Sequence, residues 1–133
     1  MFLGDLPEWL RGLAHRLNRE GFFSQVPDQV IVNEYEPGQG IAPHIDCEPC
    51  FEDTIVSISL GSQCIMDFYA IETDTVIQQP LQQRSMICIK DEARYNWKHG
   101  IAPRKSDVID DERIARHRRI SLTFRKVVLT HSK

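Results

Sequence analysis

The stretch Arg119–Arg125, RISLTFR, alternates without a break for seven residues. On an extended chain successive side chains point to opposite faces, so Ile120, Leu122 and Phe124 share one side. Arg119, Ser121, Thr123 and Arg125 share the other. The apolar side asks for a core. The other side carries two guanidiniums, and an interior does not tolerate charge without partners. Two placements satisfy both faces. One is an edge strand with its polar side in solvent. The other is the wall of a pocket that receives a small dianion, because arginine stays charged and grips carboxylates through paired hydrogen bonds.

The rest of the chain supplies partners for such a strand. Segments 29–35, 54–61, 63–69, 75–81, 84–90 and 119–129 read as short strands, and Gly/Pro turns such as 36–43, EPGQGIAP, separate them. Ahead of them, residues 6–18 place Leu6, Leu10, Leu13, Ala14 and Leu17 at helical spacing. Asp5 is the expected N-cap, Pro7 falls in the first turn, and Gly21 follows the end. The charged stretch 104–118 reads as a loop. One helix followed by many short strands predicts a mainly β sandwich or barrel, and 133 residues suit a single domain.

Several classes are disfavoured. No apolar run approaches the roughly 20 residues needed to span a bilayer, and the start does not resemble a signal peptide. A cytoplasmic or other intracellular protein with no membrane partner is therefore expected. Four cysteines, Cys47, Cys50, Cys64 and Cys88, are then expected as free thiols. Charge is unevenly distributed. Residues 1–83 hold three basic and 13 acidic residues, a net of −10, whereas residues 84–133 hold 13 basic and six acidic, a net of +7. Solvated faces explain such a split. So does a basic rim, built from Arg104, Arg113, Arg116 and Arg118, that meets phosphates.

The segment 41–50, IAPHIDCEPC, is dense in metal-ligand side chains. A structural zinc site wants a second cysteine pair to match Cys47 and Cys50. Cys64 and Cys88 lie far apart on strand-like segments, as small apolar fillers. His44 and Asp46 instead share a face of an extended strand. Adding a histidine from His15, His99, His117 or His131 completes two His and one carboxylate, the facial triad of non-haem Fe(II) oxygenases. His99 stands before Gly100 and 53 residues after Asp46, far enough to return on a neighbouring strand. A lone H-x-D near a turn is more often plain surface.

Taken together, the segments NEY (33–35), HID (44–46), HGI (99–101) and RISLTFR (119–125) resemble the AlkB-like Fe(II)/2-oxoglutarate-dependent dioxygenases, in that family's order. Residues 32–46, VNEYEPGQGIAPHID, and 53–68, DTIVSISLGSQCIMDF, look closest to the branch containing the tRNA wobble-uridine hydroxylase domain and its bacterial relatives. The resemblance implies a double-stranded β-helix, or jelly roll, with one N-terminal helix. It implies Fe(II) held by His44, Asp46 and His99, with no catalytic residue beyond these ligands. It implies 2-oxoglutarate bound by Arg119 and Tyr35 at its distal carboxylate, with Arg125 and Asn33 toward the keto acid and Ser121 and Thr123 between. Glu48 takes the place of an acidic residue that contacts the substrate base. Ser121 stands where the family has asparagine, a shorter partner that still donates and accepts.

The implied reaction uses O2 and 2-oxoglutarate to hydroxylate or oxidatively demethylate modified bases of DNA, RNA or tRNA, with nucleic acid as partner. Alternatives are the same chemistry on a protein or small molecule, or a non-catalytic jelly-roll binding module. Family members carry several strands ahead of this core, forming much of the lid over the base. This chain has about 25 residues there, mostly one helix, so residues 1–133 read as a single catalytic core short of most of that lid.

Overall fold

The structure, a computed structural model, describes residues 6–128. Asp5, His131 and the last residue of the 119–129 segment lie outside the described residues. In chain order the elements are α1 (Glu8–Arg19), β1 (Gln29–Tyr35), β2 (Ile41–His44), β3 (Phe51–Gly61), β4 (Cys64–Ala70), β5 (Val76–Leu81), β6 (Met86–Ile89), α2 (Glu92–Tyr95), β7 (Trp97–Ile101), β8 (Ser106–Ile109), β9 (Glu112–Ala115) and β10 (Arg119–Val127). They form two antiparallel four-stranded sheets, ordered β1-β10-β3-β6 and β2-β7-β4-β5, plus the β8–β9 pair. The fold is the expected jelly roll.

The alternating strand is β10, and it lies inside a sheet, between β1 and β3. Its two faces therefore meet two different interiors. On the outer side, Leu122 and Phe124 join Val56 of β3 under Leu10, Ala14 and Leu17 of α1, with Phe23 closing the cluster. The helix forms because those apolar residues share one stripe. It ends where Gly21 takes a left-handed conformation, φ 90°, which lets Phe22 N–H reach back to the Leu17 carbonyl at 3.0 Å. Burying side chains of this size contributes roughly 1.5–3 kcal/mol each. On the inner side, β10 faces the second sheet, whose Cys64, Met66, Phe68 and Ile101 pack with Ile55 and Ile89 of the first.

The structure departs from the sequence reading in three places. β2 lies within the Gly/Pro stretch read as a turn. It is an edge strand, where Pro43 costs no ladder bond. β2 also hugs β7 so closely that a Cβ on Gly100 would stand 2.8 Å from the Ile41 carbonyl oxygen. The short α2 precedes β7. The third departure corrects the loop expected over 104–118. β8 and β9 form a hairpin there, turned by Asp110 and Asp111 at φ 53° and 66°. That two-residue left-handed turn matches strand twist, and aspartate tolerates it.

The hairpin is anchored by buried charge. Arg116 donates from Nε and Nη2 to the two carboxylate oxygens of Asp107 at 2.7 and 2.8 Å, and from Nη1 to the Ala102 carbonyl at 2.8 Å. Arg104 adds contacts to Asp107 at 3.4 Å and to Asp67 of β4 at 3.7 Å. Removing one partner of a buried pair strands the other charge. Asp107→Ala should therefore destabilise the protein by about 3–5 kcal/mol, read as a lower urea midpoint. An unchanged midpoint would show that the hairpin is held by something else.

Candidate metal centre and the chamber behind it

β2 and β7 are antiparallel neighbours, and past a register shift after Ile41 His44 lies directly opposite His99. The two imidazoles thus reach one spot from adjacent strands, 4.5 Å apart between ring centroids. Asp46 follows two residues beyond the end of β2 and turns its carboxylate to the same spot. Its Oδ1 is 3.3 Å from His44 Nε2 and 3.5 Å from His99 Nε2. Donor atoms held by one first-row ion at about 2.0–2.2 Å and near right angles stand about 3 Å apart, close to these separations.

The tautomer suits the task. His44 Nδ1 contacts the Ala42 carbonyl oxygen at 2.9 Å, a bond in which the nitrogen donates, leaving the Nε2 lone pair for a cation. Burial alone would push the Asp46 carboxyl up. Hydrogen bonds from His44 and His99, with the positive charge of Arg125, outweigh it and hold the carboxyl well below the usual range. The same contact with Asp46 is the main cause that raises His44, against burial. Among the described residues this is the one cluster of three or more His, Cys, Asp or Glu side chains placed to share an ion. His15 and His117 are exposed elsewhere.

The spot opens into a cavity of about 160 Å³ between the two sheets. Asn33 and Tyr35 of β1, together with Arg119, Ser121, Thr123 and Arg125 of β10, line it alongside His44, Asp46 and His99. Every expected metal and co-substrate residue is therefore on one chamber. Glu48 is not: it sits exposed on the turn after Asp46 and does not line the cavity. Arg119 donates from Nη2 to Ser59 Oγ at 3.0 Å and lies over the Tyr35 ring at 5.5 Å. Arg125 donates from Nη1 to Asp46 Oδ2 at 3.1 Å and stacks on Phe51 at 4.1 Å. The Nε atoms of both arginines are buried without a partner. Two cations facing an apolar-walled cavity with donors to spare are a receptor for an anion. The donor set fits a first-row metal, and the arginines fit a carboxylate co-substrate beside it.

Two expectations are corrected. Cys47 and Cys50 are bonded as a disulfide, because the turn after Asp46 brings their Cα atoms to 5.2 Å, within disulfide reach. Cys64 and Cys88 are free, on β4 and β6. The basic rim also dissolves. Arg116 is buried on Asp107, Arg104 bridges Asp107 and Asp67, and Arg118 pairs with Glu34. Among the described residues Arg113 alone of the four has no carboxylate partner, donating instead to Ser106 Oγ at 2.8 Å. Sequence reasoning passed over Arg94, a buried residue of α2 that touches the backbone around Asp46. Nothing local distinguishes it from the other basic residues of its half.

A jelly roll with two histidines and a carboxylate at the mouth of an arginine-lined chamber defines a class of metal-dependent oxygenase folds. The chain belongs to the 2OG-Fe(II) oxygenase superfamily, whose family model matches residues 3–125. It is 45% identical over 126 residues to the uncharacterized protein L905 of Acanthamoeba polyphaga mimivirus, covering 92% of this chain and 59% of that protein. It is 43% identical over 140 residues to the tRNA (carboxymethyluridine(34)-5-O)-methyltransferase ALKBH8 of Mus musculus, covering 93% of this chain and 21% of that one. Among solved structures, OsALKBH1 superposes with a TM-score of 0.62 at 19% identity, over 91% of this chain and 64% of that chain, which supports the fold. This chain thus spans less than two thirds of the length of either relative.

Because one cysteine pair is bonded, unfolded but unreduced protein should titrate two thiols, and four after reduction. Four without reductant would remove the disulfide.

Proposed function

We propose that this chain is a single catalytic core, residues 1–133, of an Fe(II)/2-oxoglutarate-dependent dioxygenase acting on modified or alkylated nucleic-acid bases. One observation carries the reading: the His44–Asp46–His99 cluster and two arginines with unpartnered buried Nε atoms line the same cavity. His44, Asp46 and His99 would hold Fe(II). Bound there, iron with 2-oxoglutarate and O2 supplies the oxidising chemistry, by which the co-substrate leaves as succinate and CO2 and a substrate C–H bond gains a hydroxyl.

The chain's own residues bind and orient. Arg119, buried on β10 and steadied by Ser59, would take the distal carboxylate, with the Tyr35 hydroxyl as a second donor; their shared lining of the chamber supports this. Arg125 lies at the metal end, since it already reaches Asp46, and Asn33, Ser121 and Thr123 offer neutral hydrogen bonds along the wall. Ile31, Ile55, Met66, Ile89 and Ile101 form apolar walls that exclude water, which strengthens each of those charge interactions. A target base would have to be single-stranded or turned out of its duplex to reach the mouth. Similarity to a protein named for a tRNA uridine supports a nucleic-acid substrate; the named methyl transfer belongs to a chain of which this one covers 21%.

A second reading keeps the chemistry but uses a protein or small-molecule substrate. It is favoured by the commitment of Arg104, Arg116 and Arg118 to carboxylates, which leaves little free cation to grip phosphates. Iron-dependent succinate formation, measured with alkylated DNA, RNA and tRNA beside peptide substrates, separates the two. Stimulation by an oligonucleotide with a modified base, and by no unmodified one, is expected. Arg119→Leu should weaken 2-oxoglutarate binding by roughly 2–5 kcal/mol, the scale for breaking a desolvated charge pair. An unchanged co-substrate Michaelis constant in that variant would sink the assignment of Arg119.

A further inference from the structure

Arg94 is 2% exposed, and among the described residues no carboxylate forms an ion pair with it. Its guanidinium is spent on backbone carbonyls of one loop. Nη1 donates to the Asp46 carbonyl at 2.7 Å and Nη2 to the Cys47 carbonyl at 3.1 Å. Longer contacts run from Nη2 to Phe51 at 3.5 Å and from Nε to Glu52 at 3.4 Å. These acceptors bracket the turn 47–50, and the first belongs to a proposed metal ligand. Arg94 itself sits on α2, one residue's turn ahead of β7, the strand that carries His99.

We infer that Arg94 is a positioning residue for the metal: it fixes the backbone of Asp46 relative to the strand of His99. The inference rests on the reading of His44, Asp46 and His99 as the metal site. The physical reason lies in how Asp46 is placed. It stands beyond the end of β2, so no ladder hydrogen bond sets its backbone. Its side chain is held by His44, His99 and Arg125, and two of those three contacts are with groups that must turn to the ion when it binds. The carbonyl bond from Arg94 involves neither imidazole, so no group in it has to turn to the ion. It holds the carboxylate's anchor in place through loading and release. A planar fork spreads five donors over three nitrogens and so spans carbonyls that a lysine ammonium, with three donors on one nitrogen, does not reach together. Groups that orient a ligand without touching the ion typically alter metal affinity 10–100-fold when removed.

The experiment is a titration of the metal-free protein with Co(II) or Mn(II), without co-substrate, in the parent and three variants. Arg94→Met and Arg94→Lys are each expected to weaken the ion by about 10–100-fold, and lysine is not expected to rescue. Arg116→Met is the control. It removes another buried arginine, whose three hydrogen bonds go to Asp107 and the Ala102 carbonyl and to no proposed metal ligand, and it should lower thermal stability while leaving metal affinity within about twofold. Parent-like affinity in either Arg94 variant overturns the inference. So does a loss of affinity in Arg116→Met as large as in Arg94→Met, which would mean that metal binding only follows global stability. If Arg94→Met does not fold, Arg94→Lys decides alone. A parent protein that binds neither ion overturns instead the metal-site reading beneath the inference.

Discussion

The ion pair between Arg125 and Asp46, 3.1 Å apart, joins the two sheets at the functional site. Arg125 comes from β10 in the first sheet, and Asp46 from the loop that leaves β2 in the second. The pair makes both strands tolerable. Without Asp46, β10 would turn two guanidiniums on an interior with no carboxylate to meet them. Without Arg125, Asp46 would be a buried anion facing only imidazoles. The remaining imbalance is functional. Among the charged residues lining the chamber, Arg119 and Arg125 exceed Asp46 by one positive charge. A divalent cation at the triad would raise that excess to three, and a dianion beside it would bring it back to one. A site so charged favours metal and a dicarboxylate together over either alone, as opposite charges in a low-dielectric chamber reinforce each other.

The surrounding architecture protects this arrangement. β10 can present charge inward because its opposite face is sealed by α1 through Leu122 and Phe124. The two histidines can meet because the register shift between β2 and β7 leaves His44 opposite His99, and Gly100 lets the two backbones close in. Arg94 and Arg116 perform similar physical work. Each is a buried guanidinium that gathers backbone or carboxylate oxygens, which for Arg94 lie more than 40 positions away in sequence and for Arg116 lie 9 and 14 positions away. One secures the loop of a metal ligand, and the other secures the hairpin that covers the outer side of β4.

The charge asymmetry between the two halves of the sequence has a structural explanation. Arg104 pairs with Asp67, Arg118 with Glu34, Arg125 with Asp46 and Lys126 with Asp28. Each joins a base from the C-terminal half to an acid from the N-terminal half. Antiparallel packing of β10 between β1 and β3 brings the halves together, so much of the excess is neutralised inside the fold rather than displayed to a partner. That shifts the substrate question from phosphate contacts toward the shape and polarity of the mouth.

What the sequence determined by itself is local and periodic. The alternation of RISLTFR fixes which side chains share a face, whatever surrounds the strand. The spacing of His44 and Asp46 puts them within reach of one ion, and the apolar stripe of α1 specifies a helix with one buried side. Tertiary structure decided which distant groups meet. The Pro-containing edge strand β2, the choice of His99 over His117, the commitment of Arg104, Arg116 and Arg118 to carboxylates, and the grip of Arg94 on the Asp46 loop all depend on which residues the fold brings alongside. Partner choice among many arginines and acids is a matter of register and burial. Side chains of identical chemistry become ligand holders, structural ties or free surface charges only once sheet packing has set what each of them faces.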